Sequence, residues 1–256
     1  MVRALTKDRR DAITRLLRET GFVRNSELSD KLGVSVVTIR QDVEALCAQG
    51  LLQKTYGGAM LTQESSPDSP FDSRSREHAD AKRRIGAAAA KLVRPGETIL
   101  LDAGSTTIEI ARRLPANSDV TVVTCALNIA LEAIAVPGVS VILCGGKVNP
   151  RTLSVSGHQA ERELTNICAD RLFLATYGID KHKGLAERNF DAAQTKRALI
   201  SAAREIVLVC DASKFGEAGP VLISPVSVIH RVITDEAASK EYLKWFHDQQ
   251  ILVNVV

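Results

Sequence analysis

No stretch of this 256-residue sequence approaches the roughly 20 consecutive apolar residues that a membrane span requires. The opening run MVRALTKDRRDAITRLL is charged throughout and holds no apolar signal-peptide core, so a soluble, cytoplasmic protein with no membrane partner is expected. Cysteine is sparse and scattered: Cys47, Cys125, Cys144, Cys168 and Cys210 form no C-x-x-C pair. That scatter argues against a disulfide framework and against a cysteine metal site; most of the five read as small buried hydrophobes in a reducing compartment. Charge of one sign is also lacking. The formal excess is only +3, and residues 1–60, with ten Lys/Arg against seven Asp/Glu, carry all of it. The asymmetry is a slight pointer to nucleic acid at the N-terminal end. There is no internal repeat or low-complexity tract, and neither a cofactor nor a metal is expected.

What is present is ample apolar content, 45% of residues, in a chain long enough for one large or two unequal domains. The polar segment TQESSPDSPFDSRSREHAD has two prolines and no sustained periodicity. It reads as an extended linker, placed at 62–78, between a domain at 1–61 and a domain at 79–256.

The first domain reads as three helices and a hairpin. Ile13, Leu16 and Leu17 form an apolar stripe over residues 7–20; Leu28 and Leu32 follow, with Gly33 as a C-terminal cap. Ser35 N-caps a third helix that buries Ile39, Val43 and Leu46, and LLQKTYGGAM reads as a strand and a Gly57-Gly58 turn, a β-wing. This is helix-turn-helix patterning. It leaves Ser35, Val36, Val37, Thr38, Arg40 and Gln41 on the half of the recognition helix that meets DNA. Arg and Gln suit guanine and adenine edges, Ser and Thr suit phosphates, and Val suits a thymine methyl. Lys54 and Tyr56 on the wing are placed to hold backbone phosphates. Asp42, which DNA would repel, either orients a neighbouring Arg or lies on the helix surface.

After the linker, Val-, Ile- and Leu-rich strands (TILLDA, VTVVTC, VSVILCGG, RLFLATYGI, EIVLVCD, VIHRVITD, ILVNVV) alternate with helix-length segments. That alternation argues a mostly parallel sheet covered on both faces. In LDAGSTT (101–107) a strand ends in an acid and a small-residue turn, with hydroxyls and N–H groups at a helix start that suit an anion. Further polar clusters follow other strand ends, including VTCALN, CGGK, YGID and DASKFG. Ligand sites form at the carboxyl ends of parallel strands, so these clusters are expected to converge.

Arg9, Ile13 and Leu17 at four-residue spacing, followed after 17 residues by SVVTIRQDV and then by YGGAM, resemble the N-terminal signature and wing of the DeoR family of bacterial transcription regulators. Family members more often carry a second Arg at the position of Gln41. LDAGSTT, VVT, GG, SGHQAE, GID, KRALI and DASKFG resemble the same family's effector domain, which is similar in fold to ribose-5-phosphate isomerase. The resemblance implies an α/β protein: a winged helix-turn-helix ahead of a sugar-phosphate-sensing domain. Carried over residue by residue, Asp102, Gly104, Ser105, Thr106 and Thr107 line the phosphate end. Cys125 (where many relatives have Asn), Gly145, Gly146, Asp180 and Lys214 line the rest. At two of these places a plainer reading stays open, Asp180 as a turn cap and Lys214 as a solvent lysine, and Arg197 in KRALI reads equally as the partner of a carboxylate or as a ligand contact. His158 and His182 read as solvent-facing.

The function expected is therefore a DNA-binding regulator, a repressor of carbohydrate-utilisation genes, that binds double-stranded operator DNA as a homodimer or homotetramer and answers to a phosphorylated sugar. A sugar-phosphate isomerase with an appended head is the alternative, with Asp170, Asp180 and Lys214 as its only candidate bases. The absence of a compact acidic cluster beside a Gly-rich lysine loop favours the non-enzyme.

Overall fold

The computed structural model describes residues 6–20, 22–48, 52–55, 57–61 and 70–256. Tyr56 and residues 62–69 of the linker lie outside the described residues. The chain divides into two compact units, Met1–Pro67 and Asp68–Val256, here called head and body.

In the head, α1 (Thr6–Thr20), α2 (Asn25–Leu32) and α3 (Val36–Ala48) enclose Ile13, Leu17, Leu28, Ile39, Val43 and Leu46, all buried. The apolar residues recur at three- and four-residue spacing, which puts them on one face of each helix. Gly33 ends α2 at φ 63°, ψ 33°, the left-handed conformation that a Cβ disfavours. Ser35 opens α3: its Oγ accepts from the Thr38 N–H at 3.1 Å. The wing has three strands, not two. β1 (Phe22–Arg24) pairs with β3 (Gly58–Leu61), which pairs with β2 (Leu52–Thr55), all antiparallel. Three residues are too few to display a two-residue period, so β1 left no trace in the sequence pattern.

The body opens with α4 (Phe71–Arg76), which corrects the expectation of extended chain through residue 78. This single helical turn and a half buries no residue, so it carries no apolar stripe to read. Then come α5 (Ala79–Ala90), β4 (Thr98–Leu101), α6 (Ile108–Ala111), β5 (Val120–Thr124), α7 (Leu127–Ile134) and β6 (Val139–Leu143). A hairpin of β7 (Lys147–Asn149) and β8 (Ser154–Ser156) leads to α8 (His158–Leu164) and β9 (Ala169–Leu174). β10 (Gly178–Asp180), β11 (Gly184–Glu187), α9 (Phe190–Ser201), β12 (Ala203–Val209), β13 (Val221–Ser224), β14 (Arg231–Thr234), α10 (Lys240–Asp248) and β15 (Leu252–Val255) complete the chain.

Seven strands form one parallel sheet in the order β15-β14-β12-β9-β4-β5-β6. Its two faces are separate cores. Leu100, Leu172, Leu174 and Leu208 pack with Leu164, Leu199 and Phe246 from α8, α9 and α10. Ile99, Leu101, Phe173 and Val207 pack with Ile85, Ile110 and Ile129 from α5, α6 and α7. Alternate residues of a strand serve opposite faces, which is why the buried strands read as unbroken apolar runs. β10, β11 and β13 make a small antiparallel sheet beside it. From β4 the chain winds outward to β5 and β6; from β9 it winds the other way, to β12, β14 and β15. β4 and β9 are neighbours, so the crevice at their carboxyl ends is the topological switch point.

Candidate functional site

The head presents one candidate surface, the start of α3. Ser35, Arg40 and Gln41 are exposed, Val37 is 63% exposed, and Val36 and Thr38 are half-buried. Asp42 faces the other way and is buried. Its Oδ2 accepts from Arg9 Nε at 2.5 Å and its Oδ1 from Arg10 Nε at 2.9 Å, which locks α3 to α1. Of the two readings of Asp42, orientation of neighbouring arginines is the one observed. Lys54 is exposed on β2 and pairs with Glu44 of α3 at 2.6 Å, both groups remaining in solvent.

In the body, β4 delivers Asp102 to the switch point. Sequence reasoning placed this carboxylate at the phosphate end, yet both of its oxygens are turned into the protein. Oδ1 accepts from the Ala103 N–H at 2.8 Å, and Oδ2 accepts from the Ala175 N–H at 3.0 Å and from Lys196 Nζ. Lys196 also donates to the Ala175 carbonyl at 2.7 Å and lies 3.3 Å from Glu187 Oε1. Burial pulls the Lys196 ammonium down, but the charges and hydrogen bonds of Asp102 and Glu187 outweigh it and hold its pKa above the ordinary lysine value. Asp102 thus fixes the ends of β4 and β9 together.

The turn that follows is built on that anchor. Gly104 does not adopt a left-handed conformation; it is needed for close approach, because a Cβ there would stand 2.8 Å from the Ala175 Cβ. Thr107 is fully buried, and its hydroxyl donates to the carbonyls of Asp102 at 2.6 Å and Gly104 at 3.0 Å. The hydroxyl of Thr107 is therefore spent inside the turn. The N–H groups of Gly104, Ser105, Thr106 and Thr107 donate to no acceptor among the described residues. α6 begins only at Ile108 and has four residues, so the run of free N–H groups, more than a helix dipole, is what suits an anion.

Next to the switch point, Asp211 follows β12 and Asp235 follows β14. Asp211 is buried; its Oδ1 accepts from Ser213 N–H at 3.1 Å, whereas its Oδ2 has no hydrogen-bond partner among the described residues, nor has the buried Thr234 Oγ1. Buried polar atoms without partners are uncommon in folded proteins. Lys82 brings positive charge to Asp211 and feels the like charge of Lys214. Burial pulls the Lys82 ammonium below the ordinary lysine value, and Asp211 partly restores it. Lys82 and Lys196 are the two residues the sequence reading missed. Each lies on the inward stripe of its helix, Lys82 with Ile85 and Ala89, Lys196 with Ala193 and Leu199. A lysine on an apolar stripe is the signal that was there to be used.

The other candidates are more dispersed. Cys125 is buried beside Cys144, where β5 and β6 end in register. Gly145 and Gly146 shape the entry to the β7–β8 hairpin. The Gly145 N–H donates to Glu163 Oε2 at 2.8 Å, and Gly146 sits at φ 142°, where a Cβ would meet the Ser156 carbonyl at 2.6 Å. Asp180 caps a turn at the tip of the β10–β11 hairpin: its Oδ1 accepts from the N–H groups of His182 and Lys183, each at 2.8 Å, which holds its carboxyl below the usual range. Arg197 ties α9 to β13 through the Ile223 carbonyl at 3.2 Å and the Leu222 carbonyl, and it pairs with no carboxylate among the described residues. His158 and His182 are exposed. Asp170 stands at the amino end of the sheet, where it accepts from the Thr98 N–H at 2.9 Å, opposite to the switch-point end. No described helix is long and apolar enough to cross a membrane.

Comparison with known proteins gives the same division. A DeoR-like helix-turn-helix domain matches residues 9–65, and a DeoR C terminal sensor domain matches residues 77–236. The HTH-type transcriptional regulator GolR of Listeria innocua serovar 6a is 33% identical over 248 residues, covering 97% of this chain and 98% of its own. The glycerol-3-phosphate regulon repressor of Escherichia coli K12 is 30% identical over 243 residues, covering 95% and 96%. A solved ribose 5-phosphate isomerase A from Methanocaldococcus jannaschii aligns with 54% of each chain at 18% identity and a TM-score of 0.38. With both family domains present in order and the full-length relatives matched nearly end to end, this chain belongs to the DeoR family of transcriptional regulators.

Proposed function

We propose that the protein is a repressor of carbohydrate-utilisation genes whose hold on operator DNA is set by a phosphorylated sugar bound at the carboxyl ends of β4, β9 and β12. The observation that carries this reading is the run of four unpaired N–H groups at 104–107, placed at the switch point and braced from below by Asp102 and Lys196. The phosphate sits on that run, with Ser105 as the one hydroxyl of the turn left half-exposed. Lys214 adds charge, and the free Oδ2 of Asp211 accepts from a sugar hydroxyl. Cys125 supplies neither the donor nor the acceptor of an amide, which narrows the hydroxyl patterns the site takes.

In the head, Arg40 and Gln41 read base edges, Val36 and Val37 meet thymine methyls, and Ser35, Thr38, Lys54 and Tyr56 hold phosphates. One head covers too little DNA for tight specific binding, so two heads on a homodimer or homotetramer read paired half-sites. The relatives named as repressors support the sign of regulation. Catalysis finds little support: Asp170 lies at the far end of the sheet and Asp180 is committed to a turn. The test is binding of the full-length protein to the DNA upstream of its own gene, with and without a panel of sugar phosphates. Affinity above that for random duplex, lowered by one of the sugars, is expected. Equal affinity for both DNAs overturns the reading.

A further inference from the structure

The seven-stranded sheet ends at β6, and β6 lacks the devices that usually guard a sheet edge. Edge strands carry a Lys, a Pro or a bulge because their free N–H and C=O groups would otherwise recruit another strand. β6 reads VSVIL, with no charge, no Pro and no break in its register with β5. Ile142 is 47% exposed and Leu143 42%. Just past β6, the Cys144 N–H donates to the Thr124 carbonyl of β5 at 3.0 Å. Successive residues of a strand turn their backbone groups to opposite sides, so Ser140 and Ile142 also turn theirs to β5. Val139, Val141 and Leu143 turn theirs outward, and the N–H groups of Val141 and Leu143 have no acceptor beyond the sheet among the described residues.

α7 extends the patch. It lies over β5 and β6 with Ile129, Ala130 and Ala133 buried against the sheet, and its Glu132 reaches Arg112 at the end of α6 at 2.9 Å. With about 3.6 residues per turn, Leu131 and Ile134 fall on the flank turned away from α6, on the side of the open edge. They are 71% and 69% exposed.

We propose that the β6 edge is where two copies of this chain meet, the two β6 strands pairing antiparallel about a two-fold axis at Val141. The inference rests on the proposed homo-oligomer and names the face that makes it. In this register each Val141 N–H donates to the Val141 carbonyl of the other copy, and each Leu143 N–H to the other copy's Val139 carbonyl. Val139 and Val141 pack on the same core as α7, and Leu143, two residues further along, lies on that face too. Leu143 therefore covers the other copy's Val139, and the two α7 flanks come side by side. A two-fold interface must complement itself. An uncharged strand and an apolar flank do so, because no group meets its own charge. The opposite edge, β15, is worse suited: Leu252 and Val255 are exposed there, but α10 beside it presents Lys240, Glu241, Lys244 and Asp248 to solvent. The five residues of β6 and eight of α7 are about half of the roughly 20–30 residues a side of a standard interface, and they form an apolar centre for it.

The experiment is sedimentation equilibrium of the full-length protein and three variants, with circular dichroism and melting to show that each is folded. Ile142→Lys sets like charges across the seam. Val141→Pro removes an outward N–H and leaves the bonds to β5, since an edge strand accepts Pro where its N–H faces solvent. Leu252→Lys is the control on the other edge. The wild type is expected to sediment as a dimer or tetramer. Ile142→Lys and Val141→Pro are expected to halve its mass or weaken association by at least about tenfold, as juxtaposed like charges and lost ladder bonds do. Leu252→Lys is expected to associate as the wild type does. If Val141→Pro does not fold, Ile142→Lys decides. Two outcomes overturn the β6 seam alone: folded Ile142→Lys that associates like the wild type, or dissociation by Leu252→Lys instead. A wild type that is monomeric throughout overturns the homo-oligomer and the seam with it, and leaves the face to a different chain.

Discussion

Gly104 and Ala175 touch across the ends of β4 and β9, and 2.8 Å is all that would separate the Ala175 Cβ from a Cβ at position 104. Two backbones at this range leave nothing flexible to give way. Gly104→Ala is expected to destabilise the body by roughly 1–3 kcal/mol, the usual cost of overpacking, and to push the 104–107 N–H groups off their line. Chemical denaturation measures the first effect. Loss of a phosphate-dependent rise in melting temperature, with DNA binding kept, measures the second.

Lys196 and Asp102 form a buried pair in which each needs the other. Lys196→Met is expected to cost about 3–5 kcal/mol, because it strands a buried carboxylate. The pH dependence has a definite sign. The folded pKa of Lys196 lies above its ordinary 10.5, so the stability this group contributes is complete below pH 10.5 and is lost as pH rises through the folded value. Unfolding free energies measured from pH 8 upward are expected to fall in the wild type beyond pH 10.5 more steeply than in Lys196→Met.

Asp42 and Arg40 are two residues apart on α3 and are expected to fail differently. Asp42→Ala leaves Arg9 and Arg10 facing an empty place in the head and is expected to loosen the α1–α3 packing by roughly 3–5 kcal/mol, weakening binding to operator and random duplex alike. Arg40→Ala leaves the fold intact and is expected to cost about 1–3 kcal/mol on operator while sparing most of the affinity for random duplex. The ratio of the two affinities, measured at one salt concentration, separates them.

The five thiols are expected to react in order of exposure. Cys168 is exposed and Cys47 half-buried, whereas Cys125, Cys144 and Cys210 are buried. The hydrogen bond to Cys144 and burial push the Cys125 thiol up, and burial with Asp211 nearby pushes Cys210 up, so neither offers thiolate at neutral pH. A maleimide at pH 7 should label Cys168 first, Cys47 next, and the remaining three only once denaturant is added. Mass spectrometry of the tryptic peptides reads the order.

What the sequence disclosed and what it hid follow from physical distance along the chain. The helices of the head and the central sheet strands announce themselves because each buries a regular stripe or run, as with Ile39, Val43 and Leu46 or Leu100 and Leu101, and the two edge strands β6 and β15 announce themselves by apolar runs that stay partly exposed. The elements that stayed hidden, among them β1, α4, the β7–β8 hairpin, β11 and β13, are three to six residues long, too short to display a period. LDAGSTT was legible as a corner, but the division of labour within it was not. That Asp102 faces Lys196, 94 residues on, and that Thr107 spends its hydroxyl on the Asp102 and Gly104 carbonyls, are facts of packing that no local pattern contains. Lys82 and Lys196 were readable in principle, as charges set among alanines and leucines, and become meaningful only once the sheet tells what lies opposite.

The central position of β4 has a consequence for how the protein comes into being. On one side β4 can pair with β5 as soon as that strand leaves the ribosome, but its other neighbour, β9, arrives 72 residues later, the span over which Thr98 meets Asp170. Closing so long a loop costs entropy before it gains contacts, so the corner that Asp102 and Ala175 share is completed late in synthesis. The head's contacts are shorter in range and can be made while that corner is still missing. A nascent chain therefore passes through an interval in which the part that grips DNA exists before the part that can be told to let go.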